Sequence, residues 1–311
     1  MGSLKIGNIK LKNRLFLSPM VDVTDVAYRM LCRREGAGMA YTEMINIGAI
    51  LNENTKTLGM LKTAKEDKPV GLQVTGRNVD EFKKLSELDV VRKFDLVDLN
   101  CGCPSTRITG NQSGSYLLQD PEKIGKMIRV LKEKDLIVTA KIRLGFKKNE
   151  VMKISKEIEK AGADLLTIHA RTAVQRNRDM PQWEEIAKVK REIGIPVVGN
   201  GGIVNGKTVK EMLEIADGVM IAGAAIGNPF VFREIQRYLK TSKEKEITKE
   251  ERINSYLNYI DLAEKYGVVD LGRVKFLGGW FLRGFDGAAN AREKLMRLSN
   301  LKDINFFVES L

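Results

Sequence analysis

Residues 97–118 read Val-Asp-Leu-Asn-Cys-Gly-Cys-Pro-Ser-Thr-Arg-Ile-Thr-Gly-Asn-Gln-Ser-Gly-Ser-Tyr-Leu-Leu. A short apolar run of this kind fits a buried strand, and it ends in Asn100, Cys101 and Cys103 before the turn-forming Pro104. A thiol is thereby delivered at the exit of a strand. Similar β-branched or apolar runs recur at 14–17, 38–41, 70–74, 96–99, 137–141, 165–169, 196–199 and 218–221. Segments with helical spacing lie between them, at 79–88, 121–134, 149–161, 183–191 and 209–214. Strand alternating with helix calls for a parallel sheet, and eight such units close into a (β/α)8 TIM barrel, an α/β fold. No Gly-x-Gly-x-x-Gly follows the first run, which argues against the competing doubly wound dinucleotide fold.

After Ala222 the pattern changes. A helix is expected at 230–239, then a charged run at 241–251, then helical spacing at 253–266, 272–282 and 288–298 with no strand candidates. The chain is therefore expected to divide into a barrel, residues 1–240, and a small C-terminal all-helical domain, residues 241–311.

With 311 residues, 43% hydrophobic and 30% charged, the composition is that of a globular protein with ample core. No apolar run approaches the roughly 20 residues needed to cross a bilayer, so no membrane partner is expected. The opening Met-Gly-Ser-Leu-Lys-Ile-Gly lacks the features of a secretory signal, and a cytoplasmic location is expected. Cys32, Cys101 and Cys103 are an odd set in a reducing compartment, and Cys-Gly-Cys is too tight for an easy bridge or a complete zinc site. They read as thiols, with no metal. The formal charge is +12, and residues 241–311 hold 12 basic and 11 acidic side chains, so the excess lies in the barrel. A basic surface attracts polyanions, nucleic acid among them; lysines serving solubility would produce the same balance.

Barrel enzymes work at the C-terminal ends of their strands. In order, the exits here carry Pro19-Met20, Glu43, Gln73, Asn100 with Cys103, Lys141 with Arg143, His169 with Arg171, Asn200-Gly201-Gly202, and Gly223. One polar strand end is ordinarily a cap or a turn residue, but so many on one face point to a site. The glycine-rich exits of the last two strands suit a phosphate, which bare backbone N–H groups and a helix N-terminus can hold. Lys141 would put positive charge beside a cofactor ring, where it could stabilise a reduced, anionic flavin. The Cys103 thiol, neutral at its unperturbed pKa, suits proton donation, whereas Cys101 and Cys32 read as packing residues. His169 is the chain's single histidine, and its strand-end position favours ligand contact.

Several linked motifs carry a resemblance: Asn100-Cys101-Gly102-Cys103-Pro104 with Gly114-Ser115, Lys141-Ile142-Arg143, Ile168-His169-Ala170-Arg171-Thr172, Asn200-Gly201 and Phe232-Arg233-Glu234-Ile235-Gln236. Over about residues 10–240 the chain resembles the tRNA-dihydrouridine synthase family, and the tail does so more loosely through Arg273, Lys275 and Trp280. The resemblance implies an enzyme that uses FMN, with NADPH or NADH as reductant, to reduce uridines in tRNA. It assigns Pro19, Met20, Val21, Gln73, Lys141, His169, Asn200, Gly201, Gly202, Gly223 and Ala224 to FMN, and Asn100, Arg143 and Arg171 to the target uridine. Cys103 would protonate C5 while hydride from N5 reaches C6. Family members often carry Arg where this chain has Ala224, so a phosphate contact there would come from backbone N–H alone. The tail is nearly neutral, and tRNA is expected to follow the barrel rim and a local strip around Arg273, Lys275 and Arg283.

Overall fold

In the computed structural model, which describes residues 2–311, eight parallel strands form the expected barrel. They are β1 (Leu15–Leu17), β2 (Ala40–Tyr41), β3 (Val70–Thr75), β4 (Leu96–Cys101), β5 (Val138–Arg143), β6 (Leu165–His169), β7 (Val197–Asn200) and β8 (Gly218–Ile221). β8 pairs with β1, and a parallel bridge between Phe16 and Met39 links β1 to β2, which closes the ring. A short extra strand, Ile45–Asn46, pairs with the upper end of β3.

Side chains of a strand alternate between its two faces, and the registers show which residues share the lumen. Gln73 lies opposite Asp98 and Asp98 opposite Thr139; higher up, Asn100 lies opposite Lys141, Arg143 opposite His169, and His169 opposite Asn200. The lower lumen is apolar, packed with Phe16, Met39, Tyr41, Leu96, Leu165, Val198 and Met220. Gly71 belongs to this layer, and a Cβ there would stand 2.5 Å from the Tyr41 ring, so only hydrogen fits beside it. An N-terminal hairpin, Lys5–Ile6 with Ile9–Lys10, plugs the bottom with Ile6 and Leu11. Its strands of two residues are too short to show an alternating pattern in the sequence.

The last barrel helix, Val231–Thr241, ends at Ser242 in the left-handed conformation. A helix Lys249–Lys265 then starts with a capping box between Thr248 and Glu251. Helices Leu271–Phe281, Ala288–Arg297 and Leu301–Glu309 follow, one more helix than the sequence periodicity predicts. The helical domain packs on the barrel helix Val26–Arg34 through aromatic contacts: Tyr28 meets Tyr259 and Phe281 edge-on, at 6.1 and 6.2 Å between ring centroids. The Tyr28 hydroxyl also donates to the carbonyl of Ala225, beside the exit of β8.

Candidate active site at the barrel mouth

The upper lumen is polar because its inward positions are Gln73, Asp98, Asn100, Thr139, Lys141, Arg143, His169 and Asn200. Asn100 sits two residues above Asp98 on β4 and shapes the exit turn. Its Oδ1 accepts from the N–H groups of Gly102 (3.1 Å) and Cys103 (2.9 Å). The turn leaves Cys103 partly exposed, whereas Cys101 and Cys32 are buried on packed faces. Burial pushes both of those thiols well above their ordinary range, which makes them inert. Arg143 braces the same turn by donating Nε to the Gly102 carbonyl and Nη1 to that of Thr172, each at 2.9 Å. Arg171 donates Nε to the carbonyl of Asp179 at 2.7 Å. Both arginines keep further guanidinium N–H groups free for a ligand.

Lys141 makes no hydrogen bond or ion pair among the described residues, and burial, followed by the neighbouring charge of Arg143, brings its pKa down to about 8. His169 is pushed down to about 2, chiefly by burial and further by Lys141, Arg143 and Arg171, so it is neutral at any physiological pH. Its Nδ1 is buried without a partner among the described residues. Three cations and an unpaired imidazole nitrogen around one opening describe a place for an anion, since groups left unsatisfied in the free protein are costly.

The glycine-rich exits complete the mouth. Gly201 has φ +99°, and a Cβ on it would stand 3.2 Å from the His169 ring, so backbone approaches the imidazole directly. Its carbonyl accepts from Trp183 Nε1 at 2.8 Å, and Asn200 Nδ2 donates to the Met220 carbonyl at 2.8 Å. Gly202 also has positive φ, and the β8 exit makes a short turn at Gly223–Ala225 in which Gly223 is exposed and Ala224 half-buried. At the β1 exit Pro19 and Met20 are half-buried, Met20 N–H donates to Thr24 Oγ1 at 3.0 Å, and Val21 is 52% exposed.

Three placements differ from the expectation. Glu43, at the β2 exit, does not offer its carboxylate to the opening: Oε1 pairs with Arg273 at 2.7 Å, and Oε2 accepts from Asp22 N–H at 2.7 Å. Arg273 also pairs with Asp25 at 2.8 Å, so it lies in a brace between the helical domain and the exit loops rather than on an outer tRNA strip. Nor does Lys275 stand free, since its Nζ donates to the Met296 carbonyl. Only Arg283 of the three tail candidates is exposed, stacked over Trp280 at 3.8 Å. The buried Asp98, with Thr139, goes unremarked in a reading of strand ends because it lies below them; its signal is its i−2 spacing from Asn100.

The match to the family described as Dihydrouridine synthase (Dus) covers residues 16–309. The chain belongs to the dihydrouridine synthase family. Among relatives, it is 32% identical to tRNA-dihydrouridine synthase B of Pseudomonas aeruginosa and 30% identical to that of Pasteurella multocida, in each case over 96% of this chain and 93% of the relative. The family is one of flavin-dependent oxidoreductases, and this chain is one of them. The fold is shared with the old yellow enzyme homologue of Zymomonas mobilis, at a TM-score of 0.52 and 12% identity over 80% of this chain and 94% of that one. It is shared also with a 2-naphthoyl-CoA reductase, at 0.59 and 12% over 76% and 51%.

Proposed function

We propose that this family member reduces the C5–C6 double bond of uridines in tRNA, with FMN bound at the mouth and NADPH or NADH as the source of electrons. The observation that carries the reading is the accessible Cys103 thiol, held by a defined turn at a strand exit lined by Lys141, Arg143, Arg171 and a neutral His169. The residues present fit FMN. The unbonded Lys141 amine and the unpaired His169 nitrogen answer an anionic ring and its phosphate, the backbone at Gly201, Gly202, Gly223 and Ala224 can approach the phosphate, and Pro19, Met20 and Val21 offer apolar cover. Gln73 and Asn200 supply amides at the lumen wall. When bound and reduced, FMN would supply hydride to C6 of the uracil.

The chain's own residues do the rest. Cys103 holds the proton that C5 must receive, and after giving it up stands as a thiolate beside the Lys141 and Arg143 charges, with solvent access for reprotonation. Asn100 and the free N–H groups of Arg143 and Arg171 orient the base, which has to leave its stack to enter a barrel mouth. The excess of positive charge on residues 1–240 favours a polynucleotide over a free pyrimidine.

Incubation of the purified protein with FMN, NADPH and unmodified tRNA should give dihydrouridine by nucleoside mass spectrometry. Dihydrouracil from free uracil, with unchanged tRNA, would overturn the reading. Cys103→Ala should keep bound flavin and its reduction by NADPH while losing about 10²–10⁴-fold in uridine reduction. Equal loss in both half-reactions would assign the thiol to structure.

A further inference from the structure

Asp98 is a carboxylate inside the barrel, 1% exposed, and no step above uses it. Burying an ionised carboxylate is costly unless its oxygens are bonded, and burial does push this one up to about 6. Both oxygens are taken: Thr139 Oγ1 donates to Oδ1 at 2.6 Å and Gln73 Nε2 to Oδ2 at 2.7 Å. From Gln73 the bonding continues upward, since Asn100 Nδ2 donates to Gln73 Oε1 at 2.9 Å and Asn100 Oδ1 accepts from the turn that carries Cys103.

The direction of this relay is forced at both ends. Backbone N–H groups only donate, so Asn100 must turn its oxygen to Gly102 and Cys103 and is left with NH2 for Gln73. Gln73 must answer with oxygen, which leaves its own NH2 for residue 98. Residue 98 must therefore accept, and an ionised carboxylate does nothing else. We infer that Asp98 is a positioning residue that sets the donor–acceptor direction of the Gln73–Asn100 relay and so fixes the turn on which Cys103 stands. The catalytic consequence rests on the proposed role of the thiol; the link from Asp98 to its position does not.

The test compares Asp98→Ala with Asp98→Asn in the full-length, FMN-loaded protein. Asparagine can still offer oxygen to Gln73, because the Thr139 hydroxyl can accept its NH2 as readily as it donates. Alanine removes the acceptor, leaves the Gln73 NH2 buried without a partner and so loosens the hold of Gln73 on Asn100. The primary readout is the rate of Cys103 alkylation by iodoacetamide, followed by peptide mass spectrometry, with buried Cys32 and Cys101 reporting any unfolding. Asp98→Asn should stay within about twofold of the wild type, whereas Asp98→Ala should change the Cys103 rate about fivefold or more and slow uridine reduction about tenfold, as expected when a buried donor loses its partner. Flavin reduction by NADPH should hardly change. An unaltered Cys103 rate in Asp98→Ala, or equal effects of the two variants, would overturn the inference.

If Asp98→Ala also exposes Cys32 and Cys101, a second pair decides. Gln73→Glu sets a second carboxylate against Asp98 and should shift the Cys103 rate; adding Asp98→Asn restores a donor facing an acceptor and should return the rate toward the wild type. No recovery in the double variant would refute the relay. A shifted alkylation rate with undiminished tRNA turnover would uphold the relay and count instead against the proposed role of the thiol.

Discussion

The two ends of one lumen are built to opposite rules. Below, Phe16, Tyr41, Leu96 and Met220 pack in one layer over the hairpin plug, with Tyr41 and Leu96 against Gly71 and no charge among them. Above, on β5 and β6 of the same barrel, Lys141 is unpaired and His169 Nδ1 is orphaned among the described residues. The lower layer is arranged for stability, whereas the upper layer holds polar groups that only a ligand would satisfy. Substitutions should therefore lower stability below and can raise it above.

The largest effect is expected at the bottom. Phe16→Ala should remove about 3–5 kcal/mol of stability in urea titrations, while protein that stays folded keeps its flavin. A loss under about 1 kcal/mol would mean that the lower layer is loosely packed. Next, Arg273→Ala leaves the buried Asp25 and Glu43 carboxylates facing each other without their cation, at a cost of about 3 kcal/mol. Calorimetry should then resolve separate unfolding of the helical tail and the barrel; a single unshifted transition would deny the brace its role.

Lys141→Met should act the other way, stabilising the flavin-free protein by up to about 3 kcal/mol at pH 7 while weakening flavin retention. The sign follows from a folded pKa of about 8, below the ordinary lysine value. The folded state bears the full cost of the charge below pH 8, and the cost fades as pH rises toward 10.5. The gain from methionine should therefore vanish in alkaline solution. The smallest effect concerns His169, whose folded pKa of about 2 lies below its unfolded value of 6.5. As pH falls below 6.5 the unfolded chain takes up the proton and the folded chain does not. Between pH 6.5 and 5 the wild type should lose about 2 kcal/mol more than His169→Gln. The difference between the two proteins removes the opposing contribution of Asp98, which gains a proton in the folded state over part of the same range.

Much of the barrel is legible in the chain because buried parallel strands are short apolar runs separated by helical periods. All eight runs became strands, although β4 and β5 extend two residues beyond their predicted ends, to Cys101 and Arg143. The apolar signal stops early there because the last inward residues are polar and face the mouth. That same break makes Asn100, Lys141 and Arg143 visible as site candidates. The tail was less legible: the Leu301–Glu309 helix is absent from the sequence-based expectation, and the Arg273 charge reads as solvated until its partners are known.

Local periodicity and the chemistry of strand ends were enough to determine a barrel, a mouth and the residues that line it, since alternation along a strand is a property of the chain itself. Only the tertiary structure decided which polar groups are already spent. Arg273 meets Glu43 across 230 positions, Asp98 reaches the Cys103 turn through a neighbouring strand, and His169 finds no partner at Nδ1. Hydrogen bonds and ion pairs depend on distances of about 3 Å between residues far apart in sequence, and folding alone sets those distances.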